Sequence, residues 1–157
     1  MYLSLSLTAF YFINGLFYLI AIYKLLEIKK DRGEYLSDSY PFVSIIVPSR
    51  NEADNIGKCI NSLLSQNYPK DKYEIIPVND GSDDETGNIL EDYNLKFSQI
   101  NLINIESKSS CGKLNAIDKG ILKSKGEIII TTDADVWMRK KWIKSMVKDF
   151  DLKTGMI

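Results

Sequence analysis

Four short runs rich in β-branched residues recur through the chain: FVSIIV (42–47), YEIIPV (73–78), INLINI (100–105) and EIIIT (127–131). Each has the length of a strand, and nearly continuous apolar character is the mark of a strand covered on both faces. Between the runs the apolar spacing becomes helical. NIGKCINSLLSQ (55–66) sets Ile56, Ile60, Leu63 and Leu64 on one face, with Asp54 or Asn55 placed to cap the helix. DETGNILEDYNLKF (84–97) reads as a second helix and KWIKSMVKDF (141–150) as a fourth. The third, KLNAIDKGILKS (113–124), carries Leu114, Ile117, Ile121 and Leu122 at helix spacing. Strand and helix in regular alternation predict an α/β domain, a Rossmann-like parallel sheet with helical crossovers. Pro77 lacks an amide hydrogen, so the second strand is expected to end or bulge there.

Such sheets collect ligands outside the carboxyl ends of their strands. PSRNEADN (48–55) follows the first run and NDGSDDET (79–86) the second. ESKSSCGK (106–113) follows the third and TDADV (132–136) the fourth. Taken singly, these residues have ordinary readings: Asp54, Ser82 and Asp84 as helix caps, Lys113 as a solvated cation, Asp133 and Asp135 as a turn. Taken together, they set carboxylates, a lysine and glycine-containing turns along one edge of the sheet. The chain has no histidine, which removes Ser-His and Cys-His nucleophilic sites and the common zinc sets. Cys59 and Cys111 show neither metal-ligand spacing nor a disulfide framework. A net charge of −1 offers no general case for nucleic-acid binding. The remaining chemistry is that of carboxylates, Lys/Arg, hydroxyls and backbone.

The N-terminus has a different composition. No charged residue occurs from Met1 to Tyr23, whereas Lys24, Lys29, Lys30 and Arg32 follow. About 20 apolar residues suffice for a helix to cross a bilayer core. Residues 1–28 are therefore expected to form a single membrane anchor, with residues 29–41 as a polar linker. The positive-inside tendency places the remainder in the cytoplasm.

VSIIVPSRNEADNIGKCINSLLSQNYPKDKYEIIPVNDGSDDET and GKLNAIDKGILKSKGEIIITTDADV, in that order, resemble the opening of family 2 glycosyltransferases of the GT-A fold. The resemblance runs from residue 42 to about 150, and with the N-terminal span it extends to the membrane-anchored, synthase-like branch. It implies that 42–157 is the nucleotide-binding half of a glycosyltransferase domain. Pro48, Arg50 and Glu52 then belong to the loop near base and ribose. Asp80 corresponds to the second aspartate of the usual Val-Asp-Asp-Gly-Ser, Asn79 standing in the first position. Lys113 falls near the phosphates of the sugar donor. Asp133 and Asp135 form the Asp-x-Asp pair that engages the diphosphate and a divalent metal, Mg²⁺ or Mn²⁺. Hard cations of this kind take oxygen ligands and offset charge on the departing phosphate.

The function implied is sugar transfer, with inversion, from a nucleotide sugar to a cell-envelope polysaccharide, lipid or glycan. Members of this family continue past the Asp-x-Asp motif into an acceptor region and a carboxylate general base, and neither Asp149 nor Asp151 matches that base motif. A C-terminally truncated chain is accordingly expected, marginally stable alone or paired with a polypeptide supplying the other half. The alternatives are a catalytically incomplete nucleotide-sugar-binding fragment and, more remotely, a nucleotidyltransferase, against which VNDGS argues.

Overall fold

The computed structural model describes residues 15–20, 22–24, 40–105, 112–148 and 150. The chain divides into two compact units, Ser39–Val147 and a second comprising Met1–Asp38 with Lys148–Ile157. In the second unit, residues 15–20 and 22–24 are helical and exposed. The expected anchor otherwise falls outside the described residues, as does the linker up to residue 39. Among the described residues no helix is long and apolar enough to cross a membrane.

The larger unit is a parallel α/β sheet. Its strands are β1 (Val43–Ser49), β2 (Tyr73–Asn79), β3 (Ile103–Asn104) and β4 (Ile128–Thr131), with α1 (Ile56–Leu64), α2 (Thr86–Lys96) and α3 (Gly112–Lys123) as crossovers. A seven-residue helix, α4 (Trp142–Lys148), follows β4. The strand order is β3-β2-β1-β4, and the pairings are parallel. The chain therefore runs outward from β1 through β2 to β3, then returns to add β4 on the other side of β1. That reversal makes the carboxyl end of β1 the topological switch point.

Both faces of β1 and β2 are covered, as their continuous apolar runs require, whereas β4 buries Ile128 and Ile130 on one face and exposes Ile129 and Thr131 on the other. Ile46, Ile76 and Val78 pack with Ile105 and Ala116 in one cluster. Val43, Ile45 and Val47 alternate with Ile46 along β1 and are also fully buried. On α1, Ile56, Ile60 and Leu63 are buried as their spacing predicts, and Cys59 completes the stripe.

Three local expectations need correction. Pro77 neither ends nor bulges β2, but pairs in register with Val47. The hydrogen bonds explain how. Ile75 N–H donates to Gln99 O, Asn101 N–H to Ile75 O and Ile105 N–H to Asn79 O, so Ile75 and Asn79 point their polar groups toward β3. By alternation Pro77 does the same, and its missing N–H leaves the ladder to β1 intact. The cost falls on β3, which shrinks from the expected 100–105 to Ile103–Asn104 plus an isolated Ile75–Ile100 bridge.

The second correction concerns α3. Its large apolar side chains are not among the fully buried residues: Leu114 is 70% exposed, Ile121 43% and Leu122 84%, while Ile117 is half-buried. Ala116 and Gly120 face the sheet instead. A Cβ at Gly120 would lie 2.5 Å from Ile46 Cγ2, so small residues permit the close approach of helix and sheet. Third, neither Asp54 nor Asn55 caps α1 with its side chain. Asn55 already has helical dihedrals and its amide donates to Glu52 Oε2, while Glu52 O accepts from Asn55 and Ile56 N–H.

Candidate functional site

The loops leaving β1 and β2 are stitched together. Asn51 adopts φ +54°, a left-handed conformation that Asn tolerates better than most non-glycine residues. In this turn its N–H donates to Ser82 Oγ (3.1 Å), and its side-chain oxygen accepts from Asp83 N–H (2.8 Å). Glu52 N–H donates to Thr86 Oγ1 (2.8 Å), and Ala53 N–H to Asp84 Oδ2 (3.1 Å). The other Asp84 oxygen accepts from Thr86 N–H at the start of α2, as a cap would. The Thr86 hydroxyl foremost, together with these backbone amides, holds the Asp84 carboxyl below its ordinary value. Asn51 and Thr86 were not singled out by sequence; the only signal was an Asn where a turn needs positive φ.

Over these loops, at the switch point, lies a cavity of about 300 Å³. Pro48, Ser49, Arg50 and Glu52 line it from the end of β1, and Asp80 from the end of β2. Asp133, Ala134 and Asp135 come from the end of β4, and Gly112, Lys113 and Ala116 from α3. The seven residues proposed from sequence thus share one cavity, and Ser49, Gly112, Ala116 and Ala134 join them. The small residues of α3 leave the space: Ala116 is fully buried, and Gly112 takes φ +44° at the helix start.

The polar groups differ in state. Asp80 is 3% exposed; its N–H donates to Ser49 O (2.9 Å), but side-chain Oδ1 has no hydrogen-bond partner among the described residues. A buried, unpartnered oxygen in a cavity wall is suited to a ligand N–H or O–H. Lys113 Nζ pairs with Asp133 Oδ1 at 2.6 Å, both side chains more than half exposed. Asp135 is exposed and carries no hydrogen bond or ion pair among the described residues. It also borders a second hollow of about 150 Å³ with Lys58, Cys59 and Trp137. Burial foremost, then the charge of Asp135, pushes the Cys59 thiol up to about 12, so this cysteine is an inert packing group. Cys111 lies outside the described residues.

Among the described residues no group of three or more acidic, cysteine or histidine side chains forms a ready metal cage. What is present is a pair of hard oxygen donors, Asp133 and Asp135, on one cavity wall. Magnesium-type ions are commonly held by one or two carboxylates, with phosphate and water completing the shell.

Fold and cavity together define a Rossmann-like α/β domain with a polar cavity at the strand ends. The chain belongs to glycosyl transferase family 2, whose model matches residues 44–156. It is 37% identical over 109 residues to glycosyltransferase AglE of Haloferax volcanii, covering 69% of this chain and 35% of that protein. Among solved structures it resembles S. aureus TarS 1–349 in complex with UDP-GlcNAc (TM-score 0.57, 28% identity, 68% of this chain and 30% of that one). It also resembles the mannosyltransferase PcManGT of Pyrobaculum calidifontis in complex with GDP-Man and Mn²⁺ (TM-score 0.61, 28% identity, 76% and 36%). The chain spans about a third of the length of each of these relatives.

Proposed function

We propose that this chain carries the sugar-donor half of a glycosyltransferase, binding a nucleoside-diphosphate sugar with Mg²⁺ or Mn²⁺ for inverting transfer to a cell-envelope polysaccharide, lipid or glycan acceptor. One observation carries the reading. A single cavity at the switch point joins a buried unpartnered carboxylate oxygen of Asp80, a lysine at a helix start and the Asp133–Asp135 carboxylate pair.

The division of labour follows from the chemistry of each group. Asp80 accepts a hydrogen bond from the base or ribose, with Pro48, Arg50 and Glu52 forming the adjoining wall. Lys113 and the first turn of α3 attract the diphosphate, because a helix N-terminus presents free N–H groups and partial positive charge. Asp133 and Asp135 hold the metal. When bound, the ion offsets negative charge on the leaving diphosphate. In the protein alone, Lys113 neutralises Asp133, which leaves Asp135 as the carboxylate open to a cation. No residue of the chain is assigned as general base. Residues 1–28 serve as the membrane anchor, with the cavity cytoplasmic; the charge-free stretch to Tyr23 and the cations after it support this.

Calorimetric titration of the full chain with UDP-GlcNAc and GDP-Man, in Mn²⁺ and in EDTA, tests the reading. Binding of at least one in Mn²⁺, weakened by EDTA and by Asp135→Ala, is expected; no binding of either would refute it.

A further inference from the structure

Ten residues, 132–141, separate β4 from α4 and contain no helix or strand. Asp133 and Asp135 lie in this segment, so something else must set its shape. Its own backbone does little: Val136 N–H reaches Asp133 O only at 3.5 Å, and Trp142 N–H donates to Arg139 O at 2.9 Å. Thr132 N–H donates to Ile46 O of β1 (3.0 Å), and Lys113 of α3 pairs with the Asp133 carboxylate; the other anchors come from one side of α1 and the turn after it. Cys59 Sγ lies 3.6 Å from Asp133 O. Ser62 Oγ donates to Cys59 O (2.7 Å) and accepts from Met138 N–H (2.9 Å).

Gln66, 7% exposed, uses both ends of its amide on the same segment and the helix that follows it. Nε2 donates to Arg139 O (2.9 Å) and to Ser62 O (3.0 Å), while Oε1 accepts from Ile143 N–H (3.1 Å). Ile143 N–H belongs to the first turn of α4, where no carbonyl within the helix can accept it. Asn67 N–H adds a bond of 2.6 Å to Lys140 O. Cys59 and Ser62, one turn apart on α1, and Gln66, just past its end, together grip the chain from the Asp-x-Asp turn to the start of the next helix.

We infer that Ser62 and Gln66 are positioning residues for the proposed metal and diphosphate site, holding the Asp133–Asp135 turn in register with the cavity without touching the ligand. This rests on the sugar-donor reading above. A carboxylate moved by about 1 Å forfeits much of its contribution to a bound ion and phosphate. Loosening the grip should therefore weaken what the metal adds to binding and spare contacts made by base and ribose, which are built on β1 and β2.

The experiment measures affinity of the full chain for UDP and GDP with Mn²⁺ and with EDTA, and for uridine and guanosine alone. It is run on the wild type, on Gln66→Met and on the milder Ser62→Ala, which removes a single hydroxyl and decides the matter should Gln66→Met fail to fold. The metal-dependent gain for the preferred nucleotide should fall about tenfold or more in Gln66→Met, and less in Ser62→Ala, with nucleoside affinity unchanged. An undiminished gain in the folded variants would overturn the inference. So would a parallel loss of nucleoside affinity, which marks general damage to the domain. A wild type whose nucleotide affinity ignores Mn²⁺ would instead refute the sugar-donor reading itself, and this inference with it.

Discussion

Replacing Asp80 by Asn should separate binding from stability. Asp80 is 3% exposed, and its Oδ1 has no hydrogen-bond partner among the described residues. Nor does α3 crowd it: even a Cβ added at Gly112 would stay 3.9 Å from Oδ2. A buried polar atom without a partner costs about 1–3 kcal/mol, and more when charged. A ligand N–H or O–H that satisfies a charged acceptor gains about 1.5–3 kcal/mol. Asp80→Asn preserves the shape of the side chain and removes the carboxylate. The free protein should therefore melt at the same temperature or higher, whereas affinity for the preferred nucleotide should fall about 10- to 150-fold, 1.4 kcal/mol being tenfold. Thermal melts without ligand, run beside calorimetric titrations, measure both quantities. A lower melting temperature with unchanged affinity would refute the assignment and make Asp80 a structural residue.

Gly120→Ala would place a methyl 2.5 Å from Ile46 Cγ2 and 3.1 Å from its Cγ1 and Cδ1. Overpacking costs about 1–3 kcal/mol against about 1 kcal/mol of helix propensity gained, so a net loss of up to about 2 kcal/mol is expected in urea unfolding. Lys113→Met should leave stability nearly unchanged, since exposed ion pairs contribute about 0–1 kcal/mol. It should lower affinity for a nucleoside diphosphate and spare the nucleoside, as equilibrium binding of the two would show. Asp84 has a folded value below the ordinary 3.8, chiefly through the Thr86 hydroxyl. Its contribution is present above the ordinary value and is lost as pH falls through the lowered one. Asp84→Asn should therefore flatten the acid limb of a stability–pH profile below about pH 4.

The parallel architecture was legible because short, β-branched runs buried on both faces leave little choice of sheet. The loops around the cavity were legible for a related reason, since in a parallel sheet the position just after a strand is a position at one edge; the resemblance to the family then picked the seven residues within them. What escaped the sequence depended on neighbours. Pro77 looks like a breaker until the side of the ladder it faces is known, and that side belongs to the weakly paired β3. On α3 the larger residues carried the apolar pattern, yet a close helix–sheet approach selects the small ones, Ala116 and Gly120. The role of Gln66 and Ser62 was hidden because each bonds to backbone about 75 residues away, and no local pattern marks such a contact.

On the proposed reading, Asp133 and Asp135 complete a metal site only when a nucleoside diphosphate is present. Electron paramagnetic resonance titration of free Mn²⁺ against the full chain tests it directly, with and without UDP or GDP. Two carboxylates, one already paired with Lys113, supply too few ligands for a tight site on their own. Weak Mn²⁺ binding alone, strengthened by at least one nucleotide and abolished by Asp135→Ala, is the expected result. Mn²⁺ binding indifferent to both nucleotides, or unchanged in Asp135→Ala, would contradict a metal site built from these two aspartates.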